Sequence, residues 1–468
     1  MRWRWLVPGL AIKRWLLGMF SGLLLSVLGM ALLANLQPVS KTMQWVHDIA
    51  NLVPSVASGP LLIIGGLLLM WWSFRSTWGT LKTAMASQGS DSLLEKLYRQ
   101  NKLVRGPKVV ALGGGTGLST LLRGLKHFTS NITAVVTVGD DGGSSGRLRT
   151  EQGIIPPGDI RNCLAALADE ERLITELFQY RFKVGQGLEG HSFGNLFLTA
   201  MCRVTGDMIS AIKESSKVLN IRGRVLPATL DNVCLVAEMG DGAVIHGESH
   251  IPDASSVHGS IQLIRCEPES PQALPEVLEA IAEADLILLG PGSLYTSVIP
   301  TLLVPEIAKA IVKRNIPKLY VCNIVTQPGE TDGFSVADHI QALLRHVPSP
   351  VLHMPGSQGL VSAVLVHANG LPAALIEKYQ AVGSTPIALD RERCTALNVS
   401  VVEGLLIDPT APTTLRHHPK KLAQVIFQWF RTQAPGHFGR RHKQLDKLLN
   451  TNEALVAVSH ASSEVCDA

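Results

Sequence analysis

A chain of 468 residues with 17% charged residues, a net charge of +4 and a mean hydropathy of +0.21 has room for a large α/β domain plus appendages, and is apolar for a soluble enzyme. The small basic excess lies mostly beside apolar stretches or near the C-terminus, which argues against nucleic acid as a partner. Seven cysteines, an odd number with no C-x-x-C pair, speak against a disulfide framework or a zinc ribbon and fit a reducing cytosol.

The apolar excess sits at the front. Stretches 15–36 and 52–74 carry no charged residue, and each is long enough as a helix to cross a hydrocarbon core of about 30 Å. Arg2, Arg4, Lys13 and Arg14 precede the first; Arg75, Lys82, Lys96, Arg99, Lys102 and Arg105 follow the second, and Lys41 alone among lysines and arginines lies between them. The positive-inside rule then makes 1–74 a two-helix membrane hairpin in the inner membrane, with the N-terminus and the main domain in the cytoplasm. Trp71, Trp72 and Trp78 suit the boundary. A cleaved signal peptide would need an unusually long apolar region. A re-entrant second segment, interrupted by Pro54, Pro60, Gly65 and Gly66, is the other alternative. Residues 75–105 read as an amphipathic linker, with a helix in "SLLEKLYRQNKLV" behind a Ser92/Glu95 capping box.

From Lys108 short β-branched runs alternate with amphipathic stretches. Strands are predicted at 108–112, 132–138, 233–238, 286–290 and 319–325, and helices at 118–127, 160–181, 194–204, 206–219, 271–283 and 303–314. The fold class is α/β, a Rossmann-like and mostly parallel sheet across 106–432. Gly240-Asp241-Gly242 between two strand patterns, with a third run at "SIQLIRC", predicts a small antiparallel excursion. Residues 433–468 turn basic and then lose periodicity, the pattern of a mobile tail.

Six stretches carry chemistry. "VVALGGGTGLSTLLRGLK" (109–126) is strand, glycine turn and helix, a phosphate-binding context, although its letters miss the dinucleotide fingerprint. In "TVGDDGGSSGR" (137–147) Asp140 ends a strand where an acid accepts hydrogen bonds from a ribose or sugar, and "GGSSGR" reads as a turn in which Ser144, Ser145 and Arg147 offer donors to an anion. Asp140 and Asp141 diverge on extended backbone, so a metal on Asp140 needs Asp159 or ligand phosphates as well. In "PPGDIRNCL" (156–164) Asp159 is either a helix N-cap or an acid facing the cleft of Asp140. "GHSFG" (190–194) matches the serine-hydrolase elbow in letters but lacks the apolar strand before it, so His191, Ser192 and Asn195 are cleft or capping residues. "ADLILLGPGSLYTSVIP" (284–300) repeats the strand–glycine logic, with Gly292, Ser293, Tyr295, Thr296 and Ser297, while Asn323, Thr326, Gln327 and Glu330 of "CNIVTQPGETDGF" share the same carboxyl edge. The basic "RHHPKK" and "GRRHKQ" segments read as solvated surface.

Taken together, "GGGTGLSTLLRGLK", "TVGDDGGSSGRLR", "PPGDIRNCLAALA", "GHSFGNL", "LILLGPGSLYTS" and "VTQPGETDGF" resemble the YvcK-type proteins, also called gluconeogenesis factors. These fall within the larger CofD-like family of 2-phospho-L-lactate transferase. The resemblance spans about 106–430. It implies a nucleotide-binding domain, foremost for a UDP-sugar such as UDP-N-acetylglucosamine, with a link to gluconeogenic growth, cell shape and envelope-precursor supply. Carried over residue by residue, it singles out Gly113, Gly114, Gly115, Thr116, Gly117, Asp140, Asp141, Asn162, His191, Asn195, Ser293 and Tyr295. In the transferase branch, acids matching Asp140 and Asp159 serve a Mg²⁺-assisted transfer, so a transferase is the alternative to a regulator. Envelope-synthesis proteins and a second copy of the chain are the protein partners it leaves open. The membrane hairpin departs from typical relatives, which are soluble.

Overall fold

The computed structural model describes residues 12–34, 55–85, 103–169, 171–368, 370–407, 414–434 and 455–459. The chain divides into two units, Met1–Val104 and Arg105–Ala468.

In the first unit, helix α1 (Ile12–Leu33) pairs with helix α2 (Ser55–Met85). The contact is made by small residues. A Cβ on Gly22 would meet the Gly66 carbonyl oxygen at 2.7 Å, one on Gly29 would meet that of Gly59 at 2.7 Å, and Gly18 faces Ser73. Ser26, buried in the contact, donates to Gly22 O at 2.9 Å. Met70, Ile63 and Leu33 pack onto these glycines, while Phe20, Leu24, Met30, Leu61, Leu68 and Trp71 are each more than half exposed. Gly59–Ser76 of α2 is long and apolar enough to cross a bilayer, and the apolar part of α1, Leu17–Ala31, is shorter. Helix α2 runs well past Phe74 into the stretch predicted as linker. The Ser92/Glu95 box and most of the linker helix lie outside the described residues.

The second unit is built on an eight-stranded sheet. Its strands, in chain order, are β1 (Val109–Gly113), β2 (Ile132–Val136), β3 (Arg224–Pro227), β7 (Leu286–Leu289), β8 (Lys318–Val321), β9 (Ala363–His367), β10 (Ser400–Gly404) and β11 (Leu455–Ser459). The spatial order is β11-β10-β9-β8-β7-β1-β2-β3, parallel throughout except for β11. β1, β2, β7 and β8 are buried along their whole length, as strands covered by helices on both faces must be. Helix α3 (Gly115–Leu125) lies beneath the C-terminal helix Pro419–Gln433, where Phe128 stacks on Phe427 with ring centroids 4.8 Å apart.

The remaining strands β4 (Cys234–Met239), β5 (Val244–His246) and β6 (Ile261–Glu267) form the predicted antiparallel excursion, with β4 in the middle. Its hairpin turns at Gly242, φ +87°, after Asp241 accepts from Ala243 N at 2.9 Å.

Three expectations are corrected. The helix predicted over 160–181 is two, α5 (Gly158–Leu167) and α6 (Glu171–Gln179), after α4 (Gly143–Gln152). Ala168 is extended and bridges Ile221, and the buried Lys126 ammonium takes the freed Ala166 and Ala168 carbonyls at 2.8 and 2.9 Å while pairing with Glu171 at 2.6 Å. The "GGSSGR" stretch, read as a turn, enters α4 at Gly143. The stretch read as a mobile tail contributes β11 at the sheet edge, and the rest of 433–468, Gln433 and Ala434 apart, lies outside the described residues.

Candidate functional site

The sheet order reverses direction between β1, whose chain continues to β2, and β7, whose chain continues to β8. At such a switch point the loops leaving adjacent strands turn to opposite sides and open a crevice at the carboxyl edge. Here the two loops are the glycine turns. Gly113 has φ +153°, and a Cβ there would lie 3.8 Å from Gly290 Cα. A Cβ on Gly117 would meet Gly292 Cα at 2.7 Å and overlap the Pro291 carbonyl, so only glycine lets the turns come this close.

A cleft of about 500 Å³ opens above them. It is lined by Gly114, Gly115, Thr116, Gly117 and Thr120 from the first turn, Pro291, Gly292, Ser293, Thr296 and Ser297 from the second, and Asn323 to Pro328 from the loop after β8. Thr137, Asp140, Asp159, Glu248, Ser384 and Leu415 to His417 complete it. From β8 to β2 is three strand spacings, about 14 Å.

The acids gather over β1 and β2. Asp140 accepts from Gly142 N at 3.0 Å, an Asx turn that leaves it facing the cleft. Asp159 does not cap its own helix, whose N-cap is Pro157. Its carboxylate instead accepts from Gly115 N at the start of α3, which has no side-chain cap of its own. Burial, with Asp140 beside it, pushes the Asp159 carboxyl up to about 6. Glu248 reaches the cleft from the antiparallel excursion, and burial among Asp140, Glu330, Asp141 and Asp159 pushes it up to about 7. Among the described residues no three His, Cys, Asp or Glu side chains converge as a metal-ligand set. Asp140 and Asp159 could supply two carboxylates to a Mg²⁺ ion, whose other ligands would be phosphate oxygens and water.

The β8 side is different. Arg416 and His417, from the segment entering the C-terminal helix, line the cleft beside Asn323 to Gln327. Burial lowers His417 to about 4, so it is neutral, and it bonds the Cys322 backbone. The second turn is braced from this side: Ser293 Oγ donates to Gln327 at 2.7 Å, and Asn323 donates to Gly292 O at 2.9 Å. Glu330 lies behind, accepting from Tyr295 N at 3.3 Å, from Thr296 Oγ1 at 3.3 Å and from Gln327. Burial pushes its carboxyl up to about 7.

Of the residues singled out by sequence, Gly114 to Gly117, Asp140, Asp159, Gly292, Ser293, Thr296, Ser297, Asn323, Thr326 and Gln327 come together in the cleft. Others do not line it. Gly113 forms the turn beneath. Ser144, Ser145, His191, Ser192 and Asn195 join the buried Arg161 in a network behind it: Ser144 Oγ to His191 Nδ1 is 2.9 Å, Asn195 Nδ2 donates to Ser144 at 3.0 Å, and Arg161 reaches Ser192 at 2.5 Å. Ser192 caps α7 (Phe193–Thr205), as its capping reading requires. Burial lowers the His191 pKa, which keeps the ring neutral. Asn162 accepts from Arg161, Arg147 holds Glu189 O at 2.7 Å, and Asp141 holds Ser249 N at 2.9 Å. Tyr295 is a core residue, its ring against Phe334 and His346.

Sequence reasoning missed Glu248, Thr137, Ser384, Arg416 and His417. The only signal for Glu248 was the hairpin that delivers it. "RHHPKK" was read as solvated, and nothing local says that its first two residues fold back over β8.

The 2-phospho-L-lactate transferase CofD family matches residues 109–407. A Nostoc sp. protein named "Putative gluconeogenesis factor" is 52% identical over 431 residues, covering 91% of this chain and 92% of its own. At that coverage the similarity takes in residues 55–85. The Bacillus subtilis "Gluconeogenesis factor" is 47% identical over 320 residues, 68% of this chain and 97% of its own. A crystal structure of a Bacillus halodurans member of the UPF0052 family superposes with a TM-score of 0.63 at 46% identity, covering 69% of this chain and 99% of that one. This chain therefore belongs to the CofD family, among its YvcK-like gluconeogenesis factors.

Proposed function

We propose that the protein is a membrane-tethered, cytoplasmic nucleotide-sugar sensor, whose ligand is a UDP-sugar such as UDP-N-acetylglucosamine. It adjusts carbon use, cell shape or envelope-precursor supply through proteins that make those precursors. The observation that carries this reading is the cleft at the switch point. Glycine turns allow close backbone approach to phosphates, Arg416 and the Ser297 hydroxyl supply donors, and Asp140 with its acid neighbours accepts from hydroxyls. The names of the relatives support the regulatory part. The tether rests on the helix pair, which buries glycine and serine and exposes leucine and tryptophan, the arrangement by which helices pack in lipid.

Calorimetric titration of the full chain in detergent with UDP-N-acetylglucosamine, GDP and NAD, with and without Mg²⁺, tests the ligand. Saturable binding of the UDP-sugar is the outcome that fits, and its absence overturns the reading. A C-terminal reporter accessible from outside intact cells would overturn the topology.

One observation favours a second reading, a Mg²⁺-dependent phospho-group transferase. The Asp140 carboxylate raises the cost of ionising Asp159, and a divalent cation bound with the ligand's phosphates would relieve it. Consumption of a nucleotide-activated donor in the same titrations, followed by product analysis, would replace the sensor with the transferase.

A further inference from the structure

The small antiparallel sheet is placed where it can act on the ligand. The turn that leaves β5, residues 247–252, is wedged between two loops at the carboxyl edge of the large sheet. On the β2 side, Asp141 Oδ1 accepts from Ser249 N at 2.9 Å. Gly247 has φ +94°, and a Cβ there would run into the Asp141 carboxylate and lie 3.0 Å from His250 Nδ1. On the β8 side, Gly329 packs so closely that a Cβ would overlap the Pro252 backbone, 3.0 Å from its Cα. The turn thus bridges the loop after β2 and the loop after β8. Glu248, flanked by the two residues held on Asp141, is half-buried and faces the cleft.

The cleft beside this turn is lined by three acids, Asp140, Asp159 and Glu248. A ribose diol is satisfied by one acid. Three acids exceed that need and suit a ring with several hydroxyls, whereas a bare phosphate would be repelled.

We infer that Glu248 is the residue by which the cleft recognises the sugar of a nucleotide sugar, and that Asp141 is a positioning residue that holds Glu248 over the ligand without touching it. This rests on the nucleotide-sugar reading above, and it assigns the hydroxyl-bearing pyranose to the β2 side of the cleft.

The test compares UDP with UDP-N-acetylglucosamine on the full-length protein in detergent, for the wild type and for Glu248→Ala, Glu248→Gln, Asp141→Ala and Asp141→Asn. The wild type prefers the sugar nucleotide, and Glu248→Ala lowers that preference roughly 10- to 100-fold, the loss that goes with a charge-assisted hydrogen bond. Glu248→Gln retains part of the preference. Asp141→Ala reproduces the loss, and Asp141→Asn, which keeps an acceptor for Ser249 N, restores it; a merely structural role would lower both affinities together. A wild type that binds UDP and its sugar derivative equally, or a preference unchanged in Glu248→Ala, overturns this inference and leaves the nucleotide site standing. A wild type that binds neither overturns both.

Discussion

The turn after β1 and the turn after β7 both run from a buried strand through glycines into a helical segment. Each has a buried carboxyl from another element seated on its open N–H groups. The second carboxyl, Glu330, spends its oxygens on Tyr295, Thr296 and Gln327 and stays out of the cleft. The first, Asp159, takes Gly115 N and still faces the cleft beside Asp140. What separates a brace from a binding group here is therefore how many of its lone pairs the protein has already used. A glycine turn with an acid nearby looks the same in either case when read along the chain.

The strongest way to break the comparison is to force the two turns apart. Gly117→Ala would drive a methyl group into the Pro291–Gly292 backbone. It should cost about 1–3 kcal/mol of stability by overpacking, and at least roughly 100-fold in nucleotide affinity because both walls of the site move. Urea melts and calorimetry measure the two effects separately. Gly115→Ala is the comparison for stability alone, since its nearest neighbour would be 3.9 Å away and only its φ of +62° is strained, a cost of about 1 kcal/mol.

Glu330→Ala comes next, because it strands Tyr295 N–H and the Thr296 hydroxyl in a buried place. About 2–3 kcal/mol should be lost in urea unfolding at pH 6, with Glu330→Gln losing less.

A milder probe is pH. Both acids have folded pKa values raised above their unfolded ones, to about 7 for Glu330 and about 6 for Asp159. The folded state then binds more protons than the unfolded state, so stability falls as pH rises, from the unfolded carboxylate range up to about 7. Each shift corresponds to roughly 3 kcal/mol at most between pH 4 and pH 8. The domain should therefore melt at a higher temperature at pH 5.5 than at pH 8. Glu330→Gln should flatten the window up to about 7, and Asp159→Asn the window up to about 6. An unchanged pH profile in both variants would mean that neither carboxyl is buried as described.

How much of this was legible in the chain varies with how local the cause is. The strands at 109, 132, 286 and 318 were visible because burial on both faces demands an unbroken β-branched run. The hairpin at Gly240–Gly242 was visible because a positive φ demands glycine. Strands β3, β9 and β10 were not recognised, being short runs that compete with flanking helical patterns. The break after Leu167 depends on Lys126, which is distant in sequence and satisfies the carbonyls that the break exposes.

For the site, the chain alone determined the two glycine turns, Asp140 and the hydroxyl-rich loop after β7, since backbone conformation and strand-end position are set by neighbours in sequence. Only the tertiary structure separated the cleft from the network behind it, because whether Ser144, His191 and Asn195 meet a ligand or one another depends on packing between helices α4, α5 and α7. It also brought Glu248 from a separate sheet and Arg416 from the approach to the last helix into one cleft. A side chain's chemistry is written in its own residue, but the partner that uses its lone pairs is chosen by the fold, and that choice decides which acids remain for a ligand.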